Sequence, residues 1–336
     1  MKFIILLLVV VSGHSAWAQT VKVIAANPQT SLRGLSAVSD KLVWVSGSNG
    51  TVGRSVDSGK KWEWISVKNY EKRDFRDIEA FDERTAVIMA VGEPAIILKT
   101  SDAGRSWKVV FCDSTRGMFL DAMDFQENGN GIVVGDPVNG RFFLAKTSNG
   151  GDDWSAIPFD QLPGADSGEA CFAASGTNIR MLTAATSFFV SGGLKSSLVA
   201  GNKKISLPLL QGKQSTGANS LAFWLDKKEK YGLRLIVVGG DFERDTLSER
   251  NCSYTDDGGL SWKMPLSPPH GYRSCVSWFS KENLICCGTA GVDISKDRGL
   301  RWKLISKEGF HVCQKAKSGK SLFLAGSKGR IAKLVW

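Results

Sequence analysis

Apolar and polar positions along the chain fall into short runs of strand character, each broken after a few residues by turn formers. Phe75 to Asp82, Ala86 to Gly92 and Ile96 to Thr100 follow one another with only brief gaps, and Val21 to Ala25 alternates as a lone strand near the N-terminus. Runs of this length bounded by Gly, Asn, Asp and Ser predict β-strands joined by tight turns. One run differs. Ile4 to Val11 is almost wholly aliphatic, follows Met1-Lys2-Phe3 and ends in Ala16-Trp17-Ala18. A basic start, a short apolar centre and an A-x-A end make residues 1–18 a secretory signal peptide, and the run is too short for a span of roughly 18–20 apolar residues. The chain is therefore expected to be exported, periplasmic or extracellular, with 19–336 as its folded part and no transmembrane segment.

The strand runs repeat. Five segments share Ser/Thr-x-Asp-x-Gly-x-x-Trp, with Asn for Asp once: Asp57 with Trp62, Asp102 with Trp107, Asn149 with Trp154, Asp257 with Trp262 and Asp297 with Trp302. In such an octet the Asp or Asn side chain accepts hydrogen bonds from backbone N–H groups two or three residues on. Gly supplies a positive φ, and Trp opens the outgoing strand as an apolar plug. A calcium loop is excluded, because one carboxylate per octet is too few. The Asp/Asn positions are spaced by 45, 47, 108 and 40 residues, the long gap being two periods. Four short strands in such a period make one propeller blade.

The octet resembles the Asp-box, or BNR, repeat of sialidases, sortilin-type receptors and photosystem II assembly-factor-like propellers, the last most of all because the strands quoted above precede it in the same order. The resemblance runs from about Ser31 to the C-terminus and implies an all-β, seven-bladed propeller of four-stranded antiparallel blades. Inner strands are expected to begin near Leu32, Phe75, Phe119, Gly168, Ala218, Tyr272 and Phe310. The fourth unit lacks the octet and the fifth carries an insertion from Asp241 to Asn251. The seventh offers three strands, so Val21–Ala25 is assigned as its fourth, closing the ring without an open edge.

Net charge is +10 and is scattered in short clusters such as Lys203-Lys204, unlike the concentrated basic face of a nucleic-acid binder, so no nucleic-acid partner is expected. The seven Cys lie mostly in apolar runs and read as core thiols, without a CxxC pair for zinc or redox chemistry. With His270 and His311 the only His beyond the leader, neither a metal site nor a cofactor is expected.

Aligning the inner strands on an apolar or Cys residue two positions later places Arg33, Arg76, Leu120, Glu169, Asn219, Arg273 and His311 at one level of the central channel. The mouth at that end also receives Glu93, Asp136 and Asp241. Three guanidiniums there suit a carboxylate, phosphate or sulfate, held in a fork; alternatively they pair with Glu169, Asp77 and Asp121 and merely line a pore. The resulting expectation is a monomeric binding, interaction or assembly module, with an unknown protein or an anionic ligand at Arg33, Arg76, Glu169, Asn219, Arg273, His311, Glu93, Asp136 and Asp241, and no chemistry of its own. The alternative is a glycan-acting hydrolase, sialidase-like or other, drawing on Glu169, Asp136, Asp241 and Tyr272.

Overall fold

A computed structural model describes residues 19–27, 29–226 and 232–336, so the leader assigned to residues 1–18 lies outside the described residues. Among the described residues the chain is all-β apart from two short 3-10 turns. After β1 (Thr20–Ala25), blade one comprises β2 (Leu32–Ala37), β3 (Val43–Gly47), β4 (Thr51–Ser55) and β5 (Glu63–Ser66). Blade two is β6 (Phe75–Ala80), β7 (Ala86–Ala90), β8 (Ala95–Thr100) and β9 (Lys108–Asp113), and blade three β10 (Leu120–Phe125), β11 (Gly131–Val138), β12 (Arg141–Thr147) and β13 (Ser155–Ala156). Blade four has β14 (Glu169–Ala170), β15 (Ile179–Met181), β16 (Ser187–Gly193), β17 (Ser197–Ala200) and β18 (Lys203–Ser206). Blade five has β19 (Thr216–Leu225), β20 (Leu233–Asp241) and β21 (Cys252–Thr255). Blade six is β22 (Cys275–Trp278), β23 (Leu284–Gly288), β24 (Gly291–Ser295) and β25 (Lys303–Ser306), and blade seven β26 (Val312–Lys315), β27 (Leu322–Ala325) and β28 (Ile331–Val335).

Strands within each blade pair antiparallel in chain order, and β1 pairs antiparallel with β28 from Thr20 opposite Val335 to Ala25 opposite Ile331. The two ends of the chain therefore share one sheet, as Val21–Ala25 led us to expect. Blades four and five are joined into one sheet only by the Gly192–Gly217 pair. Their inner strands β15 and β19 also touch, as do β2 with β6, β6 with β10, β10 with β15, β19 with β22, β22 with β26 and β26 with β2, which closes a ring of seven.

Inner strands of neighbouring blades do not form a common ladder, so their buried N–H groups need other acceptors. Each blade supplies one to the next. Ser36 Oγ accepts from Ala80 N at 3.0 Å, Asp77 Oδ2 from Met123 N at 2.8 Å, Asp124 Oδ2 from Met181 N at 2.7 Å, and the Thr177 carbonyl from Leu221 N at 3.0 Å. Ser220 Oγ then accepts from Val276 N at 3.0 Å, Cys275 Sγ from Cys313 N at 3.4 Å, and Gln314 Oε1 from Ala37 N at 2.6 Å across the ring closure.

The octets sit at the turns between the third and fourth strands. In the first, Asp57 Oδ1 accepts from Lys60 N and Lys61 N, three and four residues on rather than two or three, while Ser55 Oγ accepts from Gly59 N. Gly59 has φ +81°, and a Cβ there would lie 2.5 Å from Ile24 of the preceding blade. Gly104 stands in the same way against Ile65 of blade one. The octet glycine is thus required twice, for its backbone angle and for the side chain that packs over it. Trp62, Trp107 and Trp302 donate to the glycine carbonyl; the Trp154 and Trp262 indoles have no such partner.

Two details depart from four regular strands per blade. Blade five has no fourth strand: after Trp262 a single bridge joins Lys263 to Tyr254, and the Pro265, Pro268 and Pro269 stretch leads away to pair Ser267 with Arg301 of blade six. Proline cannot supply the missing ladder N–H. Blade four has a split inner strand, with Cys171 to Asn178 between its halves β14 and β15. The cysteines are free, all buried except Cys112.

Two consequences are measurable. Deleting residues 20–26 uncovers the β28 edge and should lower the melting temperature and shift the elution profile from monomer to aggregate; an unchanged profile would place closure elsewhere. Ser36→Ala strands the Ala80 N–H and should cost about 1–2 kcal/mol in denaturant unfolding, with an unchanged m-value.

Candidate functional site

The first inner strands carry a β-bulge near their start, where two residues oppose one on the second strand. The extra residue is Arg33 in β2, Arg76 in β6, Asp121 in β10 and Asn219 in β19. The same level is reached by His311, which follows Phe310 packed beside Gly326, and by Ser274, which follows Arg273 packed beside Gly288. Ala170 completes it, one residue after Glu169 opposite Gly193. The channel ring is therefore Arg33, Arg76, Asp121, Ala170, Asn219, Ser274 and His311, and all seven line one cavity of about 500 Å³. Phe119, Phe172, Phe242, Tyr272 and Asp136 also border it.

Alignment on an apolar residue two positions later thus held at Arg33, Arg76, Asn219 and His311, and slipped by one at Leu120, Glu169 and Arg273. The cause is plain in the residues. Ala122 and Met123, like Cys275 and Val276, are adjacent apolar positions that admit either register. A better marker was present: the small residue that closes the second strand, as in Gly47, Gly135, Gly239, Gly288 and Gly326, packs directly on the backbone just before the channel residue.

The slip changes roles. Arg273 is fully buried and faces away from the channel, its Nε 2.8 Å from Asp293 Oδ2 and its Nη2 also on that oxygen, while Nη1 donates to the Tyr272 carbonyl. It is a structural residue whose loss would leave Asp293 buried without its counter-charge, held only by the His270 N–H at 3.3 Å, a change that costs about 3–5 kcal/mol. Glu169 is likewise withdrawn, bonded to Ser191 Oγ, to Lys204 Nζ at 3.0 Å and to Asp166 N at 2.9 Å. Asp241 closes its own loop through Arg244 Nε at 2.9 Å and Glu243 N at 3.1 Å. Glu93 is exposed and accepts from Gly117 N. None of these four lines the cavity. The anticipated pairing of the arginines with Glu169, Asp77 and Asp121 is also not what forms, since Asp77 accepts Ile78 N and Met123 N instead.

What crosses the channel is the segment Cys171 to Asn178, which carries no motif in the sequence. Its Ala174 carbonyl accepts from Arg33 Nη1 at 3.1 Å, its Ala173 carbonyl from Arg76 Nη1 at 3.4 Å, and its Cys171 N–H donates to Asp136 Oδ1 at 2.8 Å. Ser175 Oγ donates to the Ser274 carbonyl at 2.7 Å, and Thr177 Oγ1 meets Ser220 Oγ at 2.7 Å. Gly176, at φ +66°, is so close to Asp77 that a Cβ would fall 2.3 Å from its carboxylate. The segment touches blades one, two, three, five and six and divides the channel. Above it lies the mouth just described. Below it a smaller cavity of about 210 Å³ is lined by Asp77, Glu79, Asp124, Arg180 and Lys317, where Lys317 pairs with Glu79 and Arg180 with Asp124.

Electrostatically the mouth is two-sided. Arg76 also holds Asp74 at 2.8 Å, and Arg33 titrates lower than usual because of burial and the neighbouring Arg76. On the adjoining blade three burial raises Asp136 to about 6 and Asp121 well above the carboxylate range, with Asp136 adding to the rise at Asp121 and Arg76 opposing it. His311 is pushed down to about 4, first by burial and then by Arg33, so it is neutral at pH 7, its Nδ1 2.9 Å from the Leu32 carbonyl. Tyr272 Oη donates to Asn219 Oδ1 at 2.7 Å, and its own pKa is raised by burial. Among the described residues no group of His, Cys, Asp and Glu has the arrangement of a metal site, and no helix is long and apolar enough to cross a membrane.

Asp136 provides a check. Its folded pKa lies above the unfolded value, so the ionised form costs stability as pH rises through about 6. Asp136→Asn should therefore stabilise the protein at pH 8 by on the order of 2 kcal/mol, with the gain vanishing below about pH 4. A gain independent of pH in denaturant titrations would show that the carboxylate is not the cause.

Residues 64–192 match the family model described as photosynthesis system II assembly factor YCF48, a span from the outer strand of blade one into blade four that includes Arg76, Asp121, Asp136 and the crossing segment. Among solved structures, a YCF48 bound to D1 peptide superposes with a TM-score of 0.63 at 16% identity, covering 95% of each chain. YCF48 from Cyanidioschyzon merolae gives 0.61 at 15% identity, over 94% of this chain and 98% of that one. The WD40 propeller domain of Doa1 gives 0.63 at 12% identity, over 94% and 97%. No curated protein matches the sequence. The chain is a β-propeller that resembles the photosystem II assembly factor YCF48.

Proposed function

We propose that the mature chain is an exported, monomeric propeller that acts as a binding and assembly module without chemistry of its own, and that the Arg33–Arg76 side of its mouth receives an anionic group from a protein partner or small ligand. The observation that carries this is the pair of guanidiniums from adjacent blades on one cavity. Hydrogen bonds to described residues use one of Arg33's five donors and two of Arg76's, so each keeps donors for a carboxylate, phosphate or sulfate. The low-dielectric walls of the ring focus the field of these charges at its end. One solved propeller of similar fold was captured with a peptide, which supports a peptide-bearing partner here too. Export rests on the leader-like residues 1–18.

The hydrolase alternative would now draw on Asp121 and Asp136, since Glu169 and Asp241 lie off the cavity; turnover of sialoside or glycan substrates, abolished by Asp136→Asn, would replace the binding reading. Calorimetric titration with acetate, inorganic phosphate, sulfate and a short acidic peptide tests the proposal directly. Arg33→Ala should weaken the best of these by about 10- to 100-fold, corresponding to loss of a charge-assisted hydrogen bond, and Arg33→Lys should recover only part because the fork is gone. Equal affinity in wild type and Arg33→Ala, or no anion binding at all, would contradict it.

A further inference from the structure

Asp121 stands out within the mouth. It is fully buried, it occupies the bulge position of blade three that Arg33 and Arg76 occupy in blades one and two, and neither of its carboxylate oxygens has a hydrogen-bond partner. Buried carboxylates without donors are rare, because each leaves an expensive desolvation uncompensated. Asp136 lies on the same cavity and spends one oxygen on Cys171 N. Blade three, beside Arg76, therefore brings to the mouth carboxylate oxygens that no protein donor hydrogen-bonds.

We infer that the mouth recognises a zwitterion, with the anionic group on Arg33 and Arg76 and a primary ammonium on Asp121 and Asp136. The inference rests on the anion-binding reading above and adds the second pole. An ammonium has three donors and no acceptor, which is what an unpartnered carboxylate beside a half-satisfied one requires. The aromatic rings of Phe172 and Tyr272, both packed edge-to-face on Phe242, give the same cavity an apolar wall. A simple anion would leave Asp121 as it is, buried and unsatisfied, so it would use only half of the site. The groups that set the charge around Asp121 are Asp136 from β11, Arg76 from β6, and the backbone N–H groups of Ala173 and Asp136, which act on it without hydrogen-bond geometry. Cys171 of the crossing segment and His311 across the cavity complete the titratable surroundings.

The test is a matched series. Glycine, β-alanine, 4-aminobutyrate, 5-aminovalerate and 6-aminohexanoate are titrated calorimetrically at pH 7 beside acetate, propionate, butyrate, valerate and hexanoate. At one chain length the amine should tighten binding at least tenfold over its matched carboxylate. Because the arriving ammonium favours ionised Asp121 and Asp136, that binding should release protons, read from the difference between two buffers of unlike ionisation enthalpy. Asp121→Asn should abolish both the tenfold advantage and the proton release while leaving carboxylate affinity within about twofold, and Arg33→Ala should weaken both series. If carboxylates bind and the amine adds less than twofold at every length, the zwitterion is overturned and the anion site stands. If neither series binds, the anion reading falls with it.

Discussion

The inner strand of every blade is a sheet edge, and the structure depends on what satisfies it. Seven junctions solve the same problem, each with an acceptor reaching from one blade to an inner-strand N–H of the next. The acceptor varies among hydroxyl, carboxylate, thiol, amide and main-chain carbonyl, so no single residue type marks the position. This requirement separates the polar groups near the axis into two populations. Asp77, Ser220 and Cys275 serve the ring itself, whereas Arg76, Asn219 and Ser274, one position earlier, are left to face the channel, as are Arg33 and Asp121. Octet glycines do the equivalent work at the far end, where each turn lies under a side chain of the preceding blade.

Closure and division of the ring then create the site. Pairing β1 with β28 gives blade seven its fourth strand and ties the chain segment leading into blade one to blade seven, where His311 lies near Arg33. The split inner strand of blade four sends Cys171–Asn178 across the channel, so the mouth is a floored cavity rather than a pore. Its floor presents carbonyls to the two arginines and an N–H to Asp136, and thus helps to orient all three side chains.

Fold and closure were legible in the sequence because their signals are redundant: five octets at a regular spacing, and an unassigned strand at Val21–Ala25 facing a blade one strand short. The site was legible only to within one residue. Arg33 and Arg76 could be placed because Gly34 and Asp77 after them are not apolar, whereas paired apolar residues at Ala122-Met123 and Cys275-Val276 left Asp121 and Ser274 hidden behind Leu120 and Arg273. Arg273 misled for a further reason: its partner Asp293 lies two strands away within the same blade, and sequence spacing carries no sign of which face a buried arginine takes. The crossing segment escaped because Ala173-Ala174-Ser175-Gly176 has the composition of an ordinary surface turn, and its burial arises only from the ring around it.

On the proposed function, partners engage the floored mouth and not the octet end. Hydrogen–deuterium exchange on residues 19–336, alone and saturated with the tightest-binding anion or acidic peptide, decides between the two ends. Binding at the mouth should add protection at residues 31–34, 74–76 and 119–121, in the crossing segment 171–178, and at 272–274, with the octet turns unchanged. Protection confined to the octets around Asp57, Asp102 and Asp297, with the mouth exchanging as in the free protein, would contradict it.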